Sequence, residues 1–194
     1  MSKYSINPEE NEILPNLLNA KDKEVIEKAE FEGFLYAELL LSKTLTPETK
    51  FNVAYIQNIH LLALKEVYSF AGQYRTVNIS KGGFFFPAAQ YLIKSMELFE
   101  TEILNNLPDS YNTNEDLIRD IATVHAELLF IHPFREGNGR TARLLANLMV
   151  HKQGYESLNF EKIDEIVFPD YVRAVQAAAK KNYEPMVKII ELVF

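Results

Sequence analysis

Residues 114–153 constrain this chain more than any other stretch. Ile118, Ile121, Val124, Leu128 and Ile131 recur at three- and four-residue spacing, and after a short interruption Leu144, Leu145, Leu148 and Met149 do the same. Two amphipathic helices are expected, each with an apolar stripe to bury. The interruption begins His132-Pro133. A proline disfavours helical geometry in the residue before it, so the first helix should stop at His132. Phe134–Asn138 should form a loop, and the second helix should start near Gly139 and reach Gln153, with Gly154 as its C′ residue.

The residues at that junction are chemically unusual. His132–Arg143 reads His-Pro-Phe-Arg-Glu-Gly-Asn-Gly-Arg-Thr-Ala-Arg. Gly137 and Gly139 allow positive φ and close approach of backbone to a ligand. With Asn138, their N–H groups can form an anion nest at a helix N-terminus. Arg140 and Arg143 share a face of the first turn, where the helix dipole disfavours cations unless a polyanion neutralises them. Guanidinium forks suit phosphate oxygens. Glu136 is the odd acid beside this anion site. A Mg²⁺ ion accounts for it, because Mg²⁺ binds through one carboxylate plus phosphates and waters. His132 has the chemistry to take a proton from an attacking hydroxyl. Phe134 is expected to anchor the loop in the core. Each feature alone has a structural reading as helix stop, turn or solvated face. Joined without a gap, they point to an active loop.

The rest of the chain reads as mainly α. Its 194 residues, 47% of them apolar and 24% charged, suit one compact domain. Residues 1–20 read as an irregular lead-in and residues 21–194 as the domain proper with its C-terminal helices. A helix is expected over 22–42, carrying Val25, Ile26, Ala29, Phe34, Leu35, Leu39 and Leu40. A second should run from Pro47, capped by Thr46, to about Phe70, with Phe51, Ala54, Ile59, Leu62 and Val67 on it. Tyr74, Val77 and Ile79, the Gly82-Gly83 turn and Phe84–Phe86 predict a small β-hairpin. Further helices are expected over about 89–107, 114–131, 169–180 and 184–192. His125, two turns before His132, reads better as a packed histidine than as a second catalytic group. His60 and His151 have no partners suggested by spacing.

Net charge is −7, which argues against a general nucleic-acid binder, although the arginine pair can still make a local basic pocket. Without cysteine there is no disulfide framework and no thiolate metal site. No apolar run reaches the roughly 18 residues of a membrane span, and the first residues carry no apolar signal segment, so no membrane association and a cytoplasmic location are expected.

The segment His132–Arg143 resembles the signature of the Fic (Fic/Doc) family, HxFx(D/E)GNGRxxR, at every fixed position. The helix before it, with His125 and Ile131, and the stretch Gly72-Gln73-Tyr74-Arg75-Thr76-Val77 are also Fic-like, so the likeness extends over roughly 20–180. It implies a single-domain helical bundle with a β-hairpin flap, transferring AMP from ATP to a Ser, Thr or Tyr hydroxyl of a target protein and releasing pyrophosphate. By the same likeness His132 is the general base and Glu136 holds Mg²⁺. Gly137, Asn138 and Gly139 cradle phosphates, and Arg140 and Arg143 bind the distal ones. The hairpin, through Val77, Ile79, Lys81 and Phe84, docks the target segment by strand-like pairing.

Many family members are restrained by a helix bearing (S/T)xxxE(G/N), whose Glu pairs with the second motif arginine, here Arg143. Lys28-Ala29-Glu30-Phe31-Glu32-Gly33 carries the Glu-Gly with Lys28 in place of Ser or Thr. Glu32 is thus the candidate inhibitory residue, on a segment that also reads as an ordinary amphipathic helix. A core without an internal lock, restrained by a separate small antitoxin protein, is the favoured expectation. Phosphate transfer, removal of AMP from targets, and a non-enzymatic nucleotide-sensing or protein-binding module are the competing readings.

Overall fold

The structure is a computed structural model and describes residues 13–194. The lead-in expected over 1–20 therefore lies outside the described residues up to position 12. Helix α4 spans Asn114–Ile131 as expected, capped by Thr113 and with Glu115 and Asp116 in its first turn, where the dipole favours acids. Helix α5 spans Asn138–Lys152 and ends before Gly154, which takes φ +82°. These two helices pack on each other, and α6 (Phe168–Ala177) and α7 (Glu184–Val193) close over α4. On the other side α1 (Lys23–Thr44) crosses α2 (Val53–Leu64), and both lean on α5. Helix α3 (Leu92–Glu102) completes the bundle. Ile59, Leu64, Ile121, Leu128, Phe134, Leu145 and Ile190 are among the fully buried side chains at its centre.

Three expectations change. On α1 the buried stripe is Ile26, Glu30, Phe34, Ala37 and Leu41, while Val25, Leu35 and Leu39 face outward. Both faces of this helix are apolar, so periodicity alone could not choose between them. Helix α2 starts six residues later than expected, capped by Asn52, because Thr46 and Thr49 instead close a turn on each other. The hairpin is shorter than expected: β1 (Ser80–Lys81) pairs antiparallel with β2 (Phe84–Phe85), and Val77 and Ile79 precede it.

The crossing of α1 over α2 depends on Gly33. A Cβ there would lie 1.9 Å from the Ala63 carbonyl oxygen, so only glycine allows this approach.

Candidate active site

The junction between α4 and α5 is held in a strained shape. His132 caps α4 with φ 52° and ψ 58°, the left-handed region, which a residue with a Cβ adopts at a cost of order 1 kcal/mol. Its ring is oriented by two contacts. Nδ1–H donates to the Leu129 carbonyl at 3.2 Å, which leaves the Nε2 lone pair as the acceptor. Phe86 stacks on the ring at 4.0 Å. Burial, with Lys81 and Arg75 nearby, lowers its pKa to about 3, so the imidazole is neutral at neutral pH.

The loop is fixed by its own residues. The Asn138 side chain spans it, accepting from Phe134 N–H at 2.8 Å and donating to the Phe134 carbonyl at 2.8 Å. Asn138 therefore contributes only backbone to any ligand. Gly137 takes φ +78°, and a Cβ there would come within 2.9 Å of Leu64. Gly139, by contrast, is an ordinary helical residue, so one glycine rather than two supplies the left-handed turn. The N-terminus of α5 opens beside a cleft of about 580 Å³ lined by His132, Gly139, Arg143, Lys81, Phe84 and Phe86 on one side and by Phe168, Pro169 and Val172 of α6 on the other. A base, a helix N-terminus and a guanidinium thus share one cavity with an apolar wall. That combination suits a nucleotide.

Arg140 points elsewhere. Its Nη1 donates to Glu30 at 2.9 Å, its Nη2 to Glu136 at 3.4 Å, and its guanidinium lies over the Phe34 ring at 5.1 Å. Glu32 lies on the outer face of α1, 64% exposed, and pairs with Lys28 at 3.9 Å. The acid of α1 that reaches the motif is Glu30, two residues earlier. Its signal was visible: a glutamate in line with Ile26, Phe34, Ala37 and Leu41 sits at a core position and needs a buried partner.

Two further residues had no assigned role. His60 is fully buried, stacks on Phe134 at 3.9 Å, accepts from Gly72 N–H through Nδ1 and donates from Nε2 to the Glu136 carbonyl at 2.9 Å. Arg75 is buried without an acidic partner among its hydrogen bonds. It donates instead to the carbonyls of His132 (2.8 Å), Val77 (2.6 Å) and Pro87 (2.6 Å), joining the hairpin to the His132 junction at the negative end of α4. Distant contacts of this kind leave no trace in local spacing.

The flap residues divide. Lys81 and Phe84 line the cleft, Val77 is 42% exposed, and Ile79 accepts from Phe86 N–H at 3.2 Å. Phe85 points outward, 79% exposed. As for a metal, Glu136 is 37% exposed, and its Oε1 accepts from Gly137 N–H at 2.8 Å. Among the described residues no group of three or more His, Cys, Asp or Glu could hold an ion. A lone carboxylate beside an anion site fits Mg²⁺ with phosphate and water ligands, and fits no all-protein cage.

The Fic/DOC family model matches residues 50–150. A protein adenylyltransferase Fic from Nematostella vectensis is 28% identical over 170 residues, covering 87% of this chain, which spans 38% of that protein. A probable protein adenylyltransferase from Sinorhizobium fredii is 27% identical over 159 residues, covering 81% of this chain and 80% of its own. The chain also shares its fold with the FIC domain of the Bep8 effector of Bartonella sp. 1-1C (TM-score 0.75, 18% identity, 93% and 90% covered). The BepC effector of Bartonella tribocorum, solved with bound AMPPNP, is similar (TM-score 0.72, 18% identity, 92% and 90% covered).

Proposed function

This chain belongs to the Fic/DOC family, and on that footing we propose that it is a protein adenylyltransferase, moving AMP from ATP to a hydroxyl side chain of a target protein. The observation that carries the reading is the shared cleft: the free Nε2 of His132, the N-terminus of α5 and Arg143 all open onto it.

The proposed step follows from those positions. The adenine and ribose lie against the Phe168–Val172 wall and the phosphates run to the first turn of α5. The N–H groups of that turn have no partner within the helix and meet the phosphate oxygens. Arg143 balances the charge of the distal phosphates. The target hydroxyl oxygen bonds to the α-phosphorus as the bond to the bridging oxygen breaks, and pyrophosphate leaves. The hydroxyl proton passes to His132 Nε2. Glu136 would hold Mg²⁺, which neutralises phosphate charge when bound. Lys81 and Phe84 on the flap flank the entry, and Val77 and Ile79 lead into the strand edge offered to the target backbone. Glu32, exposed and paired within its helix, is not assigned an inhibitory role, and restraint falls to a separate protein such as a small antitoxin.

Incubation with labelled ATP·Mg²⁺ and a lysate tests the reading. Wild type is expected to label a protein by the mass of AMP, and His132→Ala to lose the label. Added mass of a phosphate supports the phosphotransferase alternative, and no difference between the two proteins supports a binding module.

A further inference from the structure

Glu30 presents a problem that the proposed chemistry does not solve. Its side chain is 6% exposed, on a helix 110 residues away in sequence from Arg140. A buried carboxylate is costly unless both oxygens are satisfied. Both are: Tyr68 donates to Oε1 at 2.8 Å and Arg140 to Oε2 at 2.9 Å. Burial and the adjacent carboxylate push the Tyr68 phenol well above its usual range, so it remains a donor.

We propose that Glu30, held by Tyr68, is a positioning residue: it fixes the Arg140 guanidinium so that Arg140 orients the Glu136 carboxylate for the metal–nucleotide complex, leaving Arg143 as the cation that meets the phosphates. This rests on the reading of the site given above.

The geometry runs in one line from the core to the loop. Glu30 lies among Ile26, Phe34 and Ala37, on a helix locked to α2 at Gly33. Tyr68 is 3% exposed. Arg140 therefore takes its position from two packed groups and from the Phe34 ring beneath it, where an arginine on an exposed first turn would sample many rotamers. Its second nitrogen reaches Glu136 Oε1 at 3.4 Å, and that oxygen also accepts from Gly137 N–H at 2.8 Å. Two donors on one oxygen set the rotamer of Glu136 and leave Oε2 for a cation. An outer group that orients a ligating carboxylate contributes to metal affinity without touching the metal.

Charge supports the same division of labour. The Arg140 guanidinium sits between two carboxylates, so little of its charge remains for a third anion. Arg143 lines the cleft, and Glu30, Arg140 and Glu136 do not.

The test compares wild type, Glu30→Gln, Tyr68→Phe and Glu136→Ala by calorimetric titration with AMPPNP, once in EDTA and once with Mn²⁺, beside melting temperatures. Wild type is expected to bind more tightly with Mn²⁺. Glu30→Gln should lose about tenfold in the Mn²⁺ affinity of the complex, with binding in EDTA within roughly twofold of wild type. Tyr68→Phe should lose less, in the same direction, and serves if Glu30→Gln does not fold. A lowered melting temperature with an unchanged Mn²⁺ gain overturns the proposal, because the contact is then only structural. Tighter binding in EDTA also overturns it, since Glu30 would be competing with phosphates for Arg140. If Glu136→Ala keeps the full Mn²⁺ gain, or wild type shows none, the assignment of the metal site itself fails, whatever Glu30 does.

Discussion

At His132 one residue carries strain, orientation and a shifted pKa together. The left-handed backbone turns the ring out of α4, the Leu129 carbonyl selects the tautomer, and Phe86 covers one face. Burial disfavours the imidazolium, so the base-competent neutral form persists below the usual histidine value of 6.5. The acid limb of kcat/KM is expected well below pH 6.5, with activity flat from pH 8 to about 6; a limb centred at 6.5 would contradict that. Arg75 is the second residue of consequence. Removing it leaves several buried carbonyls without donors. Arg75→Ala should cost about 3 kcal/mol in chemical denaturation and loosen the flap, read as faster proteolysis near Lys81. The sequence placed His132 and Glu136 within twelve residues of each other, so their proximity was legible. Arg75, His60 and Glu30 act across 57, 76 and 110 positions, and no spacing rule reaches that far.

Among the elements, α1 shows how a helix can be predicted with its two faces run together. Its span was legible from the recurrence of apolar residues, and in the structure Asp22 caps it by accepting from Glu24 N–H at 2.9 Å. Its inner face was not, because Phe31, Leu35, Tyr36 and Leu39 make a second apolar stripe opposite Ile26, Phe34 and Leu41. Truncation separates the two. Phe34→Ala should lower stability by about 3–4 kcal/mol and Leu35→Ala by under about 0.5 kcal/mol in urea melts. Gly33→Ala should cost about 2–3 kcal/mol by forcing α1 away from Ala63, and it should shift Arg140 with it. The hairpin shows the opposite case. Gly82-Gly83 marked its turn correctly, at φ 54° and 79°, but the strands hold only two residues each because Arg75 takes the Val77 carbonyl that a longer ladder would have used.

For the molecule as a whole, three buried histidines link stability to pH. Burial holds His60 near 4 and His125 and His132 near 3, against 6.5 in an unfolded chain. Between those values the unfolded state binds more protons, so stability is full above pH 6.5 and falls as pH drops toward 4. The slope is at most about 1.4 kcal/mol per pH unit for each histidine, and urea midpoints from pH 7 to 4.5 should fall accordingly. No helix among the described residues is long and apolar enough to cross a membrane. The sequence by itself determined the helical character, the break at His132-Pro133 and the loop that follows it, because periodicity, proline and glycine act over a few residues. Only the tertiary structure decided which acid of α1 meets the motif, which arginine stays open to the cleft and what holds the His132 ring. Those outcomes depend on which faces are buried together, and burial is settled when distant helices pack.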